Sequence, residues 1–351
     1  MIVVDARFLT MNMVGVVRFS MEISRRLKRY YGKEIEFVCP KNIVLKDYAK
    51  ELNPRIIGHN KGFLWEQLDL LLYLKKRGNP LLISFFGISP ILYFNKISTI
   101  HDLTYIRYPQ TFTKQFRLFY RLFIPLVIKS SRHLFTVSEF SKKELCEYYH
   151  IDKKRIDVIY NGVDERFKKE KDEAIEKDNY ILVPASGIHK NFIMATSAFL
   201  EATKDIPTAK IKLLGTKGCI KDSNICANNK VEYTGKIDDE QLIKLYSNAK
   251  AFVFPSFYEG FGIPVLEAQK CGCFVISSDA ASLPEILKDS AILISPNNKS
   301  EYVNIIRKVY EETYDRTPYI ELGYENAKRF SWEKSSEQAF FLINAFIKHE
   351  K

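Results

Sequence analysis

The sequence predicts an α/β protein made of two doubly wound, Rossmann-like domains, and three observations carry that prediction. Short apolar segments alternate with amphipathic helical stretches from residue 2 to about residue 159. The alternation stops at a charged stretch, residues 168–178, that shows no apolar periodicity, and it restarts at Tyr180. A length of 351 residues, with 46% hydrophobic and 27% charged side chains, is enough for two domains that each bury a core. The expected boundaries are residues 1–167 for the first domain, 168–178 for a linker, 179–330 for the second domain and 331–351 for a terminal helix.

In the first half, Ile2-Val3-Val4-Asp5 forms an apolar strand, followed by a loop containing Gly15 and a helical pattern over about residues 16–30. Strand, loop and helix in that order open a doubly wound sheet. Further strands are expected at residues 36–39, 81–85, 96–100, 133–136 and 156–159, with helical patterns between most of them. In the second half the strands are expected at 180–184, 210–214, 231–234, 251–255, 274–277 and 291–294. Helices near 191–203, 239–248, 264–271, 283–287 and 301–314 separate them. Asp238-Asp239 precedes one of these helices and reads as its N-terminal cap, not as a metal site. Asn161-Gly162 is a turn signal, and Cys271-Gly272-Cys273 reads as a helix end followed by a turn.

Composition excludes several classes. Asp5 and Arg7 interrupt the opening apolar run, so no secretory leader is expected. The longest apolar stretch, residues 81–94, contains Gly87 and Pro90 and is shorter than the roughly 20 residues a spanning helix needs. Cys39, Cys146, Cys219, Cys226, Cys271 and Cys273 lack the spacing of a metal site or a disulfide framework, which predicts reduced thiols in a cytoplasmic protein. A net charge of +11 asks for an acidic partner, and nucleic acid, anionic lipid and a nucleotide sugar all qualify. No nucleic-acid-binding module is recognisable, so nucleic acid is not an expected partner.

The most informative segment is Glu259-Gly260-Phe261-Gly262-Ile263-Pro264-Val265-Leu266-Glu267, a glycine-containing loop running into a helix. Gly260 and Gly262 allow a ligand to approach the backbone closely, and Pro264 suits the first turn of a helix, whose free N–H groups attract an anion. Glu259 lies on the loop and Glu267 further along on the helix, both available to accept from hydroxyls. N–H groups for a diphosphate and carboxylates for hydroxyls describe a nucleotide-sugar site.

This segment resembles the double-glutamate motif of retaining GT-B glycosyltransferases of the glycosyltransferase 4 family, which includes bacterial mannosyltransferases of polysaccharide and O-antigen assembly. The resemblance implies two Rossmann-like domains facing across a cleft, with the terminal helix crossing back to the first domain. It implies that Glu259 holds hydroxyls of the donor sugar, that Glu267 holds the ribose, and that the backbone of Phe261-Gly262-Ile263 lies along the diphosphate. Pro184-Ala185-Ser186-Gly187-Ile188-His189-Lys190-Asn191 resembles the family's basic diphosphate loop, with Ser186, Lys190 and Asn191 on the donor side. Lys190 matches the lysine that neutralises the departing diphosphate, as transfer without a metal requires. The arginine often found about six residues earlier in the family falls at Pro184. Thr99-Ile100-His101-Asp102-Leu103 resembles a signature whose histidine lies near the transferred sugar. Gly15 matches a glycine of the family's first loop, while Val17 replaces a second one.

Residues 113–132 show a separate pattern. Lys114, Arg117, Arg121, Lys129 and Arg132 fall within about a third of an ideal helix circumference, with Phe116, Phe119, Tyr120 and Phe123 on other faces. Such a helix suits an anionic lipid surface, with Lys114, Arg117 and Arg121 as membrane or acceptor contacts. Pro125 is expected to kink or interrupt it. The expected activity is hexosyl transfer, first from GDP-mannose, to a glycan acceptor that is lipid-linked, at the inner face of the cell membrane and without cofactor or metal. The rival readings are a sugar-nucleotide epimerase and a non-catalytic nucleotide-sugar-binding subunit. Release of free nucleoside diphosphate with each added sugar separates the first rival from a transferase.

Overall fold

The computed structural model describes residues 1–169, 178–216 and 228–348. Most of the expected linker, together with Cys219 and Cys226, lies outside the described residues. Contacts divide the chain into two units, residues 1–106, 112–162 and 331–351 in the first and 107–111 with 163–330 in the second.

The first unit is built on a seven-stranded sheet in which all pairs are parallel. Its strands are β1 (Ile2–Asp5), β2 (Ile35–Cys39), β3 (Arg55–Ile56), β4 (Leu81–Ser84), β5 (Lys96–Thr99), β6 (His133–Thr136) and β7 (Ile156–Val158), in the spatial order β3-β2-β1-β4-β5-β6-β7. β1, β4 and β5 are buried along their whole length, which is why they read as unbroken apolar or small-residue runs. The crossovers include α1 (Gly15–Tyr31), α2 (Lys46–Leu52), α3 (residues 62–76), α4 (Thr104–Arg107), α5 (Lys114–Ser130) and α6 (Glu139–Tyr149). α3 contains a π-helical stretch, Trp65–Leu70, that turns Trp65, Glu66 and Leu70 into the core. α5 continues through Pro125 without interruption, capped by Thr113, whose hydroxyl accepts from Phe116 N.

The second unit has a six-stranded parallel sheet. β8 (Tyr180–Pro184), β9 (Lys210–Leu214), β10 (Val231–Tyr233), β11 (Ala251–Phe254), β12 (Val275–Ser278) and β13 (Ile292–Ile294) lie in the order β10-β9-β8-β11-β12-β13. Its helices are α7 (Phe192–Ala202), α8 (Asp239–Asn248), α9 (Ile263–Lys270), α10 (Leu283–Leu287), α11 (Lys299–Tyr310) and α12 (Thr317–Ala327). Asp238 caps α8 in a reciprocal box with Gln241, as its position ahead of the helix predicts. Phe192, Phe199, Ile211, Val253, Ile276 and Tyr302 are among the residues of the core between sheet and helices.

The last helix, α13 (Trp332–Lys348), packs in the first unit. Trp332 is fully buried beside Phe19, with ring centroids 6.3 Å apart, and Arg26 donates to Glu333 at 2.8 Å. Gly162 is a structural glycine. A Cβ there would stand 2.3 Å from the backbone nitrogen of Trp332.

Candidate functional site

In each sheet the order of strands reverses beside the first one, between β1 and β4 and again between β8 and β11. Connections leave these neighbouring strands in opposite directions, which opens a crevice outside their carboxyl ends where ligands bind in such folds. In the second unit the segment after β8 carries Lys190 and the segment after β11 carries Glu259. Sheet order therefore brings together two residues that are 69 positions apart.

Lys190 Nζ donates to Glu259 Oε1 at 2.5 Å and lies 5.1 Å from the centre of the Phe254 ring. The two side chains retain 16% and 11% of their exposure, so the pair is largely dry yet reachable. Its supports are specific. Phe257 N donates to His189 O at 2.8 Å, which ties the two segments together. Asn191, in the left-handed region at φ 55°, donates from Nδ2 to Pro296 O at 2.8 Å. Ser186 is exposed on the same segment.

The loop from Glu259 to Gly262 is fixed from beneath. Ser282 Oγ lies 3.0 Å from Glu259 O and 2.9 Å from Phe261 O, so one hydroxyl proton is shared between two loop carbonyls. Phe261 turns its ring edge-on to Phe330, 5.5 Å away, which commits its side chain to the core. Gly260 is buried. Gly262 begins α9 at φ 103°, and a Cβ there would meet Leu283 Cδ2 at 2.9 Å. Pro264 follows in the first turn, next to the half-buried Ile263. Glu267, in the following turn, is 7% exposed. Burial, and after it the Glu267 carboxylate, hold the Tyr246 phenol well above its ordinary titration range.

The first unit holds the other expected residues. His101 Nε2 lies 2.9 Å from Phe85 O, a carbonyl that only accepts, so Nε2 carries the proton and Nδ1 is left as an acceptor. Phe19 meets the imidazole edge-on at 5.1 Å. Burial lowers the His101 pKa, against smaller upward pulls from the Phe85 carbonyl and Asp102, so the ring is neutral at pH 7. Asp102 is occupied locally, accepting from Thr104 N at 2.8 Å and Thr104 Oγ1 at 2.7 Å. Gly15 opens α1, is exposed, and has nothing within 4 Å of where a Cβ would stand. Among the described residues, no neighbour therefore requires glycine there. Val17 is fully buried and fills core space.

On α5, Lys114 and Arg121 are exposed while Arg117 is half-buried. Arg117, on the basic face of an ideal wheel, keeps part of its surface exposed. Reading the sequence missed Phe254, which lies beneath Lys190, and the tie that Ser282 makes to the glutamate loop. No spacing announces either one, since both depend on which strands are neighbours. Among the described residues, no three His, Cys, Asp or Glu side chains gather as a metal-binding group, and no helix is long and apolar enough to cross a membrane.

Known proteins resemble this chain along most of its length. Residues 164–326 match the family model of glycosyl transferases group 1, and residues 13–167 match that of glycosyltransferase family 4. The O-antigen chain mannosyltransferase RfbU of Salmonella typhimurium is 30% identical over 316 residues, covering 84% of this chain and 87% of that protein. O-antigen chain mannosyltransferase B of Escherichia coli is 39% identical over 117 residues, 33% of this chain and 30% of its own length. Among solved structures, Anabaena HepE in complex with UDP-glucose superposes with a TM-score of 0.75 at 17% identity, covering 98% of this chain and 99% of that one. That likeness shows the GT-B fold.

Proposed function

The chain belongs to the glycosyltransferases of group 1 and family 4, and we propose that it moves a hexosyl group from a nucleotide sugar to a lipid-linked glycan acceptor, retaining the anomeric configuration and using no metal ion. The observation that carries this reading is the Lys190–Glu259 pair at the carboxyl ends of β8 and β11, beside the start of α9. Charge grows on the diphosphate as the bond from sugar to oxygen breaks, and Lys190 with the first N–H groups of α9 offers positive charge for it. Glu259 exchanges Lys190 for hydroxyls of the sugar, and Glu267 accepts from the ribose. His101, neutral with Nε2 committed to Phe85 O, orients the sugar and is not the base. The acceptor proton passes to the departing phosphate oxygen on the same face.

Mannose from GDP-mannose is the first donor to test, because the relatives just described carry O-antigen chain mannosyltransferase names. The experiment is thermal unfolding with a panel of nucleoside diphosphates and nucleotide sugars in the presence of a chelator. A ligand that binds only the folded state at about 100 times its Kd adds about 2.7 kcal/mol of stability. A selective rise with GDP and GDP-mannose supports the reading. A rise with UDP or dTDP compounds alone keeps the transferase and discards mannose, and no rise with any of them overturns the donor site.

A further inference from the structure

We propose that α3 and α5 of the first unit form a leucine face that inserts into the surface of an anionic lipid bilayer. The proposal deepens the lipid-linked acceptor reading and rests on it for its purpose, but the face itself is argued from exposure and charge.

On α5, Leu118, Leu122 and Leu126 recur every fourth residue and remain 62%, 57% and 44% exposed. On α3, Leu64, Leu68 and Leu72 do the same at 55%, 49% and 55%. A repeat of four keeps each set on one side of its helix. The two helices are neighbours, since Phe63 packs its ring against Phe119 at 4.9 Å and Phe123 at 4.5 Å. Each of these aromatic residues adjoins an exposed leucine in sequence, so the stripes flank one shared seam.

The segment before β5 adds Leu92 and Phe94, exposed by 63% and 64%. It is anchored to both helices. Ile91 N donates to Gln67 Oε1 of α3 at 2.9 Å, and the buried Lys96, which opens β5, donates both to Pro90 O of the segment and to Ser130 Oγ at the end of α5, the latter at 2.8 Å. Scattered exposed leucines are ordinary on a protein surface, but eight large apolar side chains on three adjoining segments are not.

Charge selects the occupant. Exposed Lys61, Lys75 and Lys76 bracket the α3 leucines, and exposed Lys114, Arg121 and Lys129 accompany those of α5. α5 contains no acidic residue. The acidic residues of α3 are both engaged, Glu66 with Arg7 at 2.6 Å and Asp69 as acceptor from Asn60 N at 2.8 Å. Apolar stripes edged mainly by cations match a membrane interface, where leucines enter the acyl boundary and lysines meet anionic headgroups. Leucine burial resists salt, whereas a purely basic helix would release the membrane as salt rises.

The test is co-sedimentation of the full chain with vesicles of phosphatidylglycerol and phosphatidylcholine, at low and high salt. The variants are Leu118→Gln/Leu122→Gln/Leu126→Gln and Lys114→Gln/Arg121→Gln/Lys129→Gln. The leucine variant is expected to bind about 100-fold more weakly at both salt concentrations. The cation variant is expected to lose about 100-fold at low salt and little at high salt, and to match the wild type on phosphatidylcholine. Unchanged binding by the leucine variant overturns the proposal. So does a wild-type dimer that the leucine substitutions convert to monomer in light scattering, because a second copy would then cover the face. Nucleotide-induced thermal shifts on the same proteins separate the two readings. Vesicle binding without any nucleotide effect overturns the donor site and leaves the leucine face standing, and the reverse result does the opposite.

Discussion

Exchange of partners at Lys190 is the event on which the donor chemistry turns, and it is open to measurement. In the free protein Lys190 and Glu259 neutralise one another at 2.5 Å with about a tenth to a sixth of their surface accessible. Removing one member of a fully buried pair costs about 3–5 kcal/mol, and of an exposed pair about 0–1 kcal/mol. Residual solvent access places this pair between those limits, at about 2 kcal/mol for Lys190→Met or Glu259→Ala. For a unit of this size that lowers Tm by roughly 4–8 °C. The double variant Lys190→Met/Glu259→Ala is expected to be no less stable than either single one, giving a coupling energy of at least about 2 kcal/mol in a double-mutant cycle. Binding should then split in a diagnostic way. Lys190→Met weakens nucleoside diphosphate binding about 10- to 100-fold, since the charge that meets the diphosphate is gone. Glu259→Gln leaves nucleoside diphosphate affinity unchanged or tighter, because Lys190 no longer has a competing carboxylate, while turnover with the full nucleotide sugar falls sharply. Titration calorimetry with the diphosphate and a release assay with the sugar read the two effects. Equal loss of diphosphate affinity in both variants, or a coupling energy below about 0.5 kcal/mol, would refute the exchange.

Two further outcomes follow from the geometry. Gly262→Ala forces a side chain into φ 103° with its Cβ 2.9 Å from Leu283 Cδ2, and is expected to cost about 1–3 kcal/mol in urea unfolding; a loss under about 0.5 kcal/mol would mean that the loop relaxes freely. His101 has a folded pKa below its unfolded value of about 6.5, so its contribution to stability is complete above that pH and is lost as pH falls through the folded value. The stability gap between the wild type and His101→Gln should therefore narrow between about pH 7.5 and pH 5, and a gap that widens on acidification would contradict the assignment.

What the sequence discloses depends on what each segment touches. Central strands such as β1 and β11 are covered on both faces, so an unbroken apolar run reveals them. β3 is two exposed residues at the edge of its sheet and leaves no such trace. The helix expected to reach residue 314 stops at Tyr310, because Glu312 takes a left-handed backbone at φ 57° and Thr313 N turns back to Lys308 O. α12 escaped notice because its buried positions include Gly323 and Asn326 while Leu322 is exposed, which blurs the apolar periodicity. The glutamate loop was legible because glycine and proline mark backbone needs that are local. Its contact with Lys190 was legible only through resemblance, since a pairing 69 residues long depends on strand order. A helical wheel gives the spacing of Arg117 on the basic face and not how much of it stays exposed, which is intermediate.

The placement of α13 also bears on how the protein is made. The chain leaves its first unit at Gly162 and re-enters it at Ser331. On a ribosome, the second unit therefore has nearly all its residues in hand while the first still lacks the helix that seats Trp332 against Phe19 and closes over Gly162. The first-made half is thus the last to be finished, and a stop codon a few residues past Phe330 would expose the interior of the amino-terminal half and leave the newer one whole.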